Sequence, residues 1–261
     1  DTGQHPERAA RLVEIGAALK REGLWDRLPH LYPRPATVNE LGRAHSLEHI
    51  RWVEGHAQGG GGWVNMDTVL SPGSHKAALY AAGGAIVATE AVLRGAAGQA
   101  LALVRPPGHH ATRDRAMGFC LFNNIAVAAH AALAEGLAKR IFIFDYDAHH
   151  GNGTQDAFYS DPRVFYFSTH QHPLYPGTGP ADEMGEGEGK GTTLNVPLPP
   201  ECGDEELRQV CELMAQAARR FRPDVMLVSA GFDGHWLDGI TQLQLSVAGF
   251  AHIAETIKGV A

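Results

Sequence analysis

Short apolar runs alternate with helical patterns along most of the chain. Residues 7–22 carry leucine, isoleucine and alanine at helical spacing, and Gly23 after them is a helix stop signal. An alanine-rich stretch at 74–94 is also periodic, and its small residues are typical of a helix packed close to a sheet. The pattern further predicts strands at 100–104, 140–144, 164–168, 192–196 and 224–229, and helices at 122–136, 151–159, 203–220 and 244–258.

This alternation predicts the fold class. Strands that alternate with helices form a mostly parallel sheet with helices on both faces. The run at 141–144 is continuously apolar, as expected of a strand buried on both sides. We therefore expect a single α/β domain over residues 1–261. The glycines at 59–62 are expected to form a flexible loop, and the Gly/Glu stretch at 185–191 a mobile surface loop.

Composition and charge narrow the range of partners. The 261 residues include 22 Lys and Arg against 29 Asp and Glu, which gives a formal charge of −7. Nucleic-acid binders usually carry a basic face, so no direct nucleic-acid partner is expected, whereas the acidity favours basic substrates. Three irregularly spaced cysteines fit a reducing compartment. Without a run of about 18 apolar residues or a signal pattern, we expect a soluble, cytoplasmic protein and no membrane partner.

The residues with metal-binding or acid–base chemistry follow three of the predicted strands. They are Asp145, Asp147, His149 and His150 after 140–144, Asp233 after 224–229, and His109 and His110 after 100–104. In open α/β sheets, ligands bind outside the carboxyl ends of the strands. We therefore expect these side chains to lie at one edge of the sheet.

Their spacing favours a metal site. Alternate residues of an extended chain point the same way, so Asp147 and His149 can converge, and Asp233 supplies a third ligand. Three protein ligands with a vacant position are typical of catalytic zinc, although this donor set also suits iron(II), cobalt or manganese. The alternative is that Asp145 and Asp147 only cap the helix at 151–159 and that the histidines are surface residues.

The tandem histidines favour acid–base catalysis. His109 and His110 follow a stiff Pro-Pro-Gly turn that fixes where their rings point. Imidazoles with a pKa of about 6.5 suit general base and general acid roles. Asp145 and Asn152 are the candidate partners that would orient the two rings.

At this point the sequence resembles the histone deacetylase superfamily, in particular its class II branch and the bacterial histone deacetylase-like amidohydrolases. The matching segments occur in the family's order and cover nearly the whole chain. They are residues 5–8 (HPER), 105–111 (RPPGHHA), 118–124 (GFCLFNN), 145–155 (DYDAHHGNGTQ), 175–179 (YPGTG), 194–198 (LNVPL) and 229–233 (SAGFD).

The resemblance implies a catalytic zinc and a set of catalytic residues. Zinc would be bound by Asp147, His149 and Asp233, and the reaction would be removal of acetyl groups from lysine side chains. His109 and His110 would be the catalytic histidines, oriented by Asp145 and Asn152 respectively. The family's potassium ion would be held by backbone or side-chain oxygens of Asp145, Asp147, His149, Ser168 and Thr169.

The resemblance also implies a substrate channel. Phe119 and Tyr175 would form its aromatic walls, and Gly118 would leave room for the amide. The polyamine deacetylases of the superfamily can carry a glutamate at the channel mouth, where this chain has the apolar Ile240. Ile240 therefore favours an acetyl-lysine protein or peptide over a small acetylated amine. Arg11 would lie near the foot of the channel, where acetate leaves.

The sequence lacks one residue that the family uses. The family has an oxyanion-stabilising tyrosine in a Gly-Gly-Tyr motif after the last helix, whereas the last tyrosine here is Tyr175. We expect the natural chain to extend beyond both ends of this sequence. Besides a lysine deacetylase, an acetylpolyamine deacetylase and a non-catalytic acyl-lysine reader remain alternatives. A binuclear hydrolase is disfavoured, because the position two after Asp233 is His235 rather than a second carboxylate.

Overall fold

The computed structural model describes residue 3 and residues 5–260. The chain forms two compact units, of which the first ends at Leu137 and the second begins at Ala138.

The first unit is mainly helical. Its elements are α1 (Ala10–Arg21), α2 (Val38–Leu41), α3 (Leu47–Gln58), the hairpin strands β1 (Gly62–Trp63) and β2 (Val69–Leu70), α4 (Ser74–Leu93) and α5 (Asn124–Ala134). Helices α4 and α5 pack against each other through small residues, because alanines line the buried face of each. Asn123 caps the N-terminus of α5, because its side chain accepts a hydrogen bond from the Ala126 N–H.

The second unit contains the predicted parallel sheet. Its elements are β3 (Ile141–Asp145), α6 (Asn152–Phe158), β4 (Val164–Gln171), β5 (Thr193–Leu198), α7 (Asp204–Phe221), β6 (Val225–Ser229) and α8 (Val247–Val260). The strands lie parallel in the order β5, β4, β3, β6. Every residue of β3 is buried, as its unbroken apolar run predicts. The parallel sheet with packed helices confirms the α/β class.

The core of the second unit lies between this sheet and α7. Apolar residues of α7 recur at helical spacing, from Leu207 through Val210 to Met214, and pack against Phe142 and Phe167 of the sheet. Helix α8 packs in turn on α7. Full burial of each large apolar side chain stabilises the fold by about 1.5–3 kcal/mol, so this layer holds the strand ends in place.

One expectation from the sequence is wrong. Residues 100–104 form no strand in the described structure: the segment is irregular, and Leu101 is 68% exposed. Two of its five residues are alanine, which favours strands weakly. The glycines at 59–62 form the predicted connection between α3 and β1, and the last of them, Gly62, begins β1. The stretch 185–191 contains a short 3-10 helix, Gly187–Gly189, and the Glu186 N–H bonds the Tyr159 carbonyl at 2.9 Å.

Helix α4 is an exception to the expectation that the sequence contains no apolar segment long enough to span a membrane. Within the described residues it is the one helix long and apolar enough, by length and composition alone, to cross a bilayer. It packs against α5 inside the first unit, and the core helices of soluble proteins have the same length and composition.

Two glycines offer a test of how tightly α4 is packed. A Cβ on Gly83 would lie 1.8 Å from the Arg34 carbonyl oxygen, whereas a Cβ on Gly55 in α3 would meet nothing within 4 Å. We expect Gly83→Ala to lower the free energy of unfolding by about 1–3 kcal/mol through overpacking. Gly55→Ala should raise it by about 0.4–1 kcal/mol, because alanine has less backbone entropy to lose. Urea denaturation of both variants measures the difference, and equal effects would contradict the close packing.

Candidate metal centre and active site

Three of the predicted metal ligands converge in the second unit. One ligand atom from each of Asp147, His149 and Asp233 lies within 4.8 Å of the others. The Nδ1 atom of His149 is 2.6 Å from Asp233 Oδ2 and 3.2 Å from Asp147 Oδ1. Among the described residues, no other group of three such side chains comes together in this way.

The sheet register places these side chains together. Strands β3 and β6 are adjacent and parallel, with Asp145 opposite Ser229, so the chain leaves both strands at the same edge. Backbone N–H groups then orient the carboxylates: Ala148 donates to Asp233 Oδ1 and His149 donates to Asp147 Oδ1, each at 2.9 Å. The arrangement is compact, because a Cβ on Gly231 would lie 2.2 Å from Asp147 Oδ2.

The pKa values of this cluster reflect the crowding of charge. Burial lowers the pKa of His149, but the hydrogen bonds that its ring donates to the Asp147 and Asp233 carboxylates outweigh this effect and raise the pKa to about 10. Burial raises the pKa of Asp233 to about 6, and the neighbouring Asp147 carboxylate adds to this rise. Two carboxylates therefore share one half-buried point with the imidazole of His149, whose hydrogen bonds to both offset part of their repulsion.

This donor set fits a divalent metal ion. Carboxylate oxygens and an imidazole nitrogen bind zinc, and catalytic zinc sites commonly use three protein ligands. A divalent cation also supplies the positive charge that the two carboxylates require, in place of the proton on His149. The structure therefore brings together Asp147, His149 and Asp233 as the sequence predicts, and their residue types suit the metal.

Asp145 lies deeper than the three candidate ligands. Its side chain is fully buried; Oδ1 accepts a hydrogen bond from the Asp147 N–H at 3.3 Å, and Oδ2 accepts one from the Tyr166 hydroxyl at 3.2 Å. Burial, with the Asp145 charge adding to it, raises the pKa of Tyr166 well above its usual range, so this hydroxyl stays a donor. Asn152, the other predicted orienting residue, is 8% exposed at the start of α6. The contact between Tyr166 and Asp145 could not be predicted from the sequence, where Tyr166 is only a tyrosine within an apolar strand.

Two predicted potassium ligands lie beside Asp145 on β4. Ser168 pairs with Asp145 across the sheet. Its hydroxyl lies 2.9 Å from His170 Nδ1, and the Thr169 hydroxyl donates to the Val196 carbonyl at 3.2 Å. Both hydroxyls thus have protein partners, and the potassium site stays a prediction.

The tandem histidines belong to the first unit. His109 and His110 are 8% and 4% exposed, and their ring centroids are 4.0 Å apart. They follow the irregular segment at 100–104 rather than a strand end. A Cβ on Gly118 would lie 2.2 Å from His110 Cδ2, so the glycine leaves room for the ring of His110, whereas its predicted role beside the substrate amide stays a prediction.

The two predicted channel walls lie in different units. In the first unit, the ring of Phe119 makes an edge contact with His5 at 4.7 Å. In the second, the ring of Tyr175 is 38% exposed and lies 6.2 Å from the ring of His149, next to the candidate metal centre. Ile240 is 49% exposed in the loop after Asp233.

Two buried histidines, His150 and His170, form hydrogen bonds with the loop that follows Tyr175. Thr178 Oγ1 lies 2.7 Å from His150 Nδ1, and His170 Nε2 donates to the Gly179 carbonyl at 2.9 Å. Burial lowers the pKa of His170 to about 3, so the ring is neutral and its Nδ1 accepts from Ser168. The sequence motifs include His150 but not His170, and they do not predict which groups these two rings bind.

Arg11, the predicted acetate-exit residue, lies at the start of α1 with its side chain 55% exposed. Its Nη1 is 3.6 Å from the buried carboxylate of Glu7. Arg105 makes the closer pair, with Nε and Nη2 at 3.0 and 2.6 Å from the same carboxylate. This pair, which the sequence reasoning missed, lines a cavity of about 30 Å³ together with His5 and Phe119. The role of Arg11 stays a prediction.

Comparison with known proteins assigns the family. The profile of the histone deacetylase domain matches residues 5–261. The chain therefore belongs to the histone deacetylase family, as the motifs in the sequence predict. In the crystal structure of the HDA15 HD domain, a similar chain of 37% identity superposes with a TM-score of 0.95 over 100% of this chain and 77% of that one.

Curated relatives carry deacetylase and amidohydrolase names. A probable deacetylase of Archaeoglobus fulgidus is 43% identical over 95% of this chain and 70% of its own length. The chloroplastic histone deacetylase 14 of Arabidopsis thaliana is 40% identical over 98% and 65%, and the histone deacetylase-like amidohydrolase of Pseudomonas aeruginosa is 38% identical over 99% and 68%. The chain thus spans about two thirds of the length of these relatives, and their names support a hydrolytic deacetylation.

The candidate metal centre predicts a stability effect that does not depend on turnover. A ligand that binds only the folded state at 100 times its Kd stabilises it by about 2.7 kcal/mol. We expect zinc to raise the melting temperature of the chain and Asp233→Asn to abolish that rise. Asp238→Asn is the matched control, since Asp238 is exposed in the same loop. An unchanged zinc response in Asp233→Asn would contradict the assignment.

Proposed function

We propose that the chain is a zinc-dependent deacetylase that hydrolyses the acetyl amide of acetylated lysine side chains. The observation that carries the proposal is the convergence of Asp147, His149 and Asp233 within 4.8 Å at the strand ends. Membership of the histone deacetylase family supports the reaction class, and zinc is the metal that this family generally uses. When bound, zinc would supply a Lewis acid for the acetyl carbonyl and for the attacking water.

In this proposal the tandem histidines move the protons. A neutral imidazole accepts the proton of the attacking water, and a protonated imidazole donates one to the leaving amine. His109 and His110 suit both roles, because burial and close ring contact hold the two rings in place. In the proposed assignment, Asp145 orients His109 and Asn152 orients His110.

The channel residues support a long aliphatic stem as substrate. Aromatic walls such as Phe119 and Tyr175 exclude water and cover methylene groups, and Tyr175 lies directly beside His149. At the proposed mouth, the exposed Ile240 offers an apolar surface rather than a carboxylate for a distant ammonium. These features favour acetyl-lysine in a peptide over an acetylated polyamine.

The direct test is turnover of an acetyl-lysine peptide by the zinc-loaded chain. We expect turnover that Asp233→Asn abolishes and that His110→Ala lowers by about 10²–10⁴, the usual contribution of general acid–base catalysis. His30→Ala is the matched control, because His30 is an exposed histidine of the same unit. Equal rates in His110→Ala and the wild type would contradict the assigned role.

The substrate class has a separate test. The values of kcat/KM for an acetyl-lysine peptide and for acetylspermidine are compared on the same preparation. We expect the peptide to be preferred, and Ile240→Glu to shift the preference toward acetylspermidine by adding a carboxylate for its distant ammonium. A wild-type preference for acetylspermidine would overturn the lysine assignment but leave the metal centre intact.

A further inference from the structure

The backbone of Phe119 has an unusual conformation. Its φ is +68°, in the left-handed region that bulky residues rarely adopt. Gly118 before it also has a positive φ, +55°. Such a conformation costs free energy and persists where the surrounding structure enforces it, often at a functional site. The question is therefore which contacts hold Phe119 in place.

Two side chains from a distant turn hold this segment. The Phe119 N–H donates to Thr68 Oγ1 at 3.1 Å, and the Gly118 N–H donates to Asp67 Oδ1 at 3.0 Å. The Thr68 hydroxyl in turn donates its hydrogen to Asp67 Oδ1, which leaves its oxygen free to accept from the Phe119 N–H. Thr68 is fully buried. The turn and the segment are 51 residues apart in sequence, so these are tertiary contacts.

The turn is itself rigidly built. It connects β1 and β2, and Asn65 Oδ1 accepts from the N–H groups of Asp67 and Thr68 at 3.1 and 2.8 Å. The Asn65 amide donates to the Ala116 carbonyl at 3.2 Å, two residues before Gly118. His5 completes the cluster, with Nε2 2.8 Å from the Asp67 carbonyl and its ring against Phe119.

We propose that Asp67 and Thr68 are positioning residues that hold Phe119 in its strained backbone conformation and so set the wall of the acyl-lysine channel. The inference rests on the proposed function, in which Phe119 is that wall. The segment lies between this turn and the ring of His110, which sits close against Gly118. A shift of the segment therefore changes the channel without removing any group that touches the reacting atoms.

The test removes one hydroxyl at a time. Thr68→Val deletes the acceptor of the Phe119 N–H, and Thr68→Ser restores it. The matched control is Thr89→Val, since Thr89 is a buried threonine of the same unit whose hydroxyl bonds only the Ala85 carbonyl of its own helix. Kinetics on an acetyl-lysine peptide are measured for each variant, alone and combined with Phe119→Ala. The ring of Phe119 is followed by fluorine NMR after 4-fluorophenylalanine labelling, with Phe119→Ala assigning its resonance among the ten phenylalanines.

We expect Thr68→Val to raise KM about fivefold, the usual effect of one hydrogen bond, with kcat nearly unchanged. Thr68→Ser and Thr89→Val should stay within about twofold of the wild type, and Thr68→Val should add less than about twofold in the Phe119→Ala background. The Phe119 fluorine resonance should shift in Thr68→Val but not in Thr89→Val.

Two results would overturn the proposal: an unshifted Phe119 resonance in Thr68→Val, or kinetic effects of Thr68→Val and Phe119→Ala that multiply independently. Failure of the proposed function would give a different result from failure of this inference. In that case the wild-type chain does not turn over the peptide, while the fluorine shift still reports whether Thr68 positions the ring.

Discussion

The carboxylates of Asp147 and Asp233 meet at one half-buried point, and most of the second unit serves to keep them there. Strands β3 and β6 run parallel and in register, so both carboxylates leave the sheet at the same edge. Like charges repel at this distance, and burial strengthens the repulsion. Backbone N–H groups and the imidazole of His149 offset part of it, and a divalent metal ion would supply the rest. The apolar layer between the sheet and α7 provides the stability that lets this charge cluster persist.

Much of the second unit could be predicted from local patterns. The strands β3, β4, β5 and β6 each appear as a short apolar run, and the alternation with helices implies parallel neighbours. The candidate metal ligands follow from the same reasoning, because parallel strands bring their carboxyl ends together and residues two apart point the same way. Helix boundaries differ from the predictions by one to three residues, as at α7 and α8, where capping rather than periodicity decides the end.

The first unit shows where local patterns fail. The sequence prediction does not include α2, α3 or the hairpin of β1 and β2, although the buried residues Ile50, Val53 and Ala57 recur at helical spacing in α3. The run at 100–104 illustrates the reverse error, since apolar residues alone do not make a strand without neighbours to pair with. The support of Phe119 by Thr68 also has no sequence signal, because a hydrogen bond across 51 residues is set by the fold.

Several glycines of the sequence motifs lie so close to neighbouring polar side chains that no larger residue would fit. A Cβ on Gly231 would overlap the Asp147 carboxylate, and one on Gly179 would lie 2.6 Å from the ring of His150. At Gly118 the same substitution would meet His110, and the positive φ adds backbone strain. In each case a polar side chain occupies the space that a neighbouring glycine leaves empty. The positions of the carboxylate and of the two imidazole rings therefore depend on these glycines. The candidate site consists of the glycines as well as of the polar residues that they accommodate.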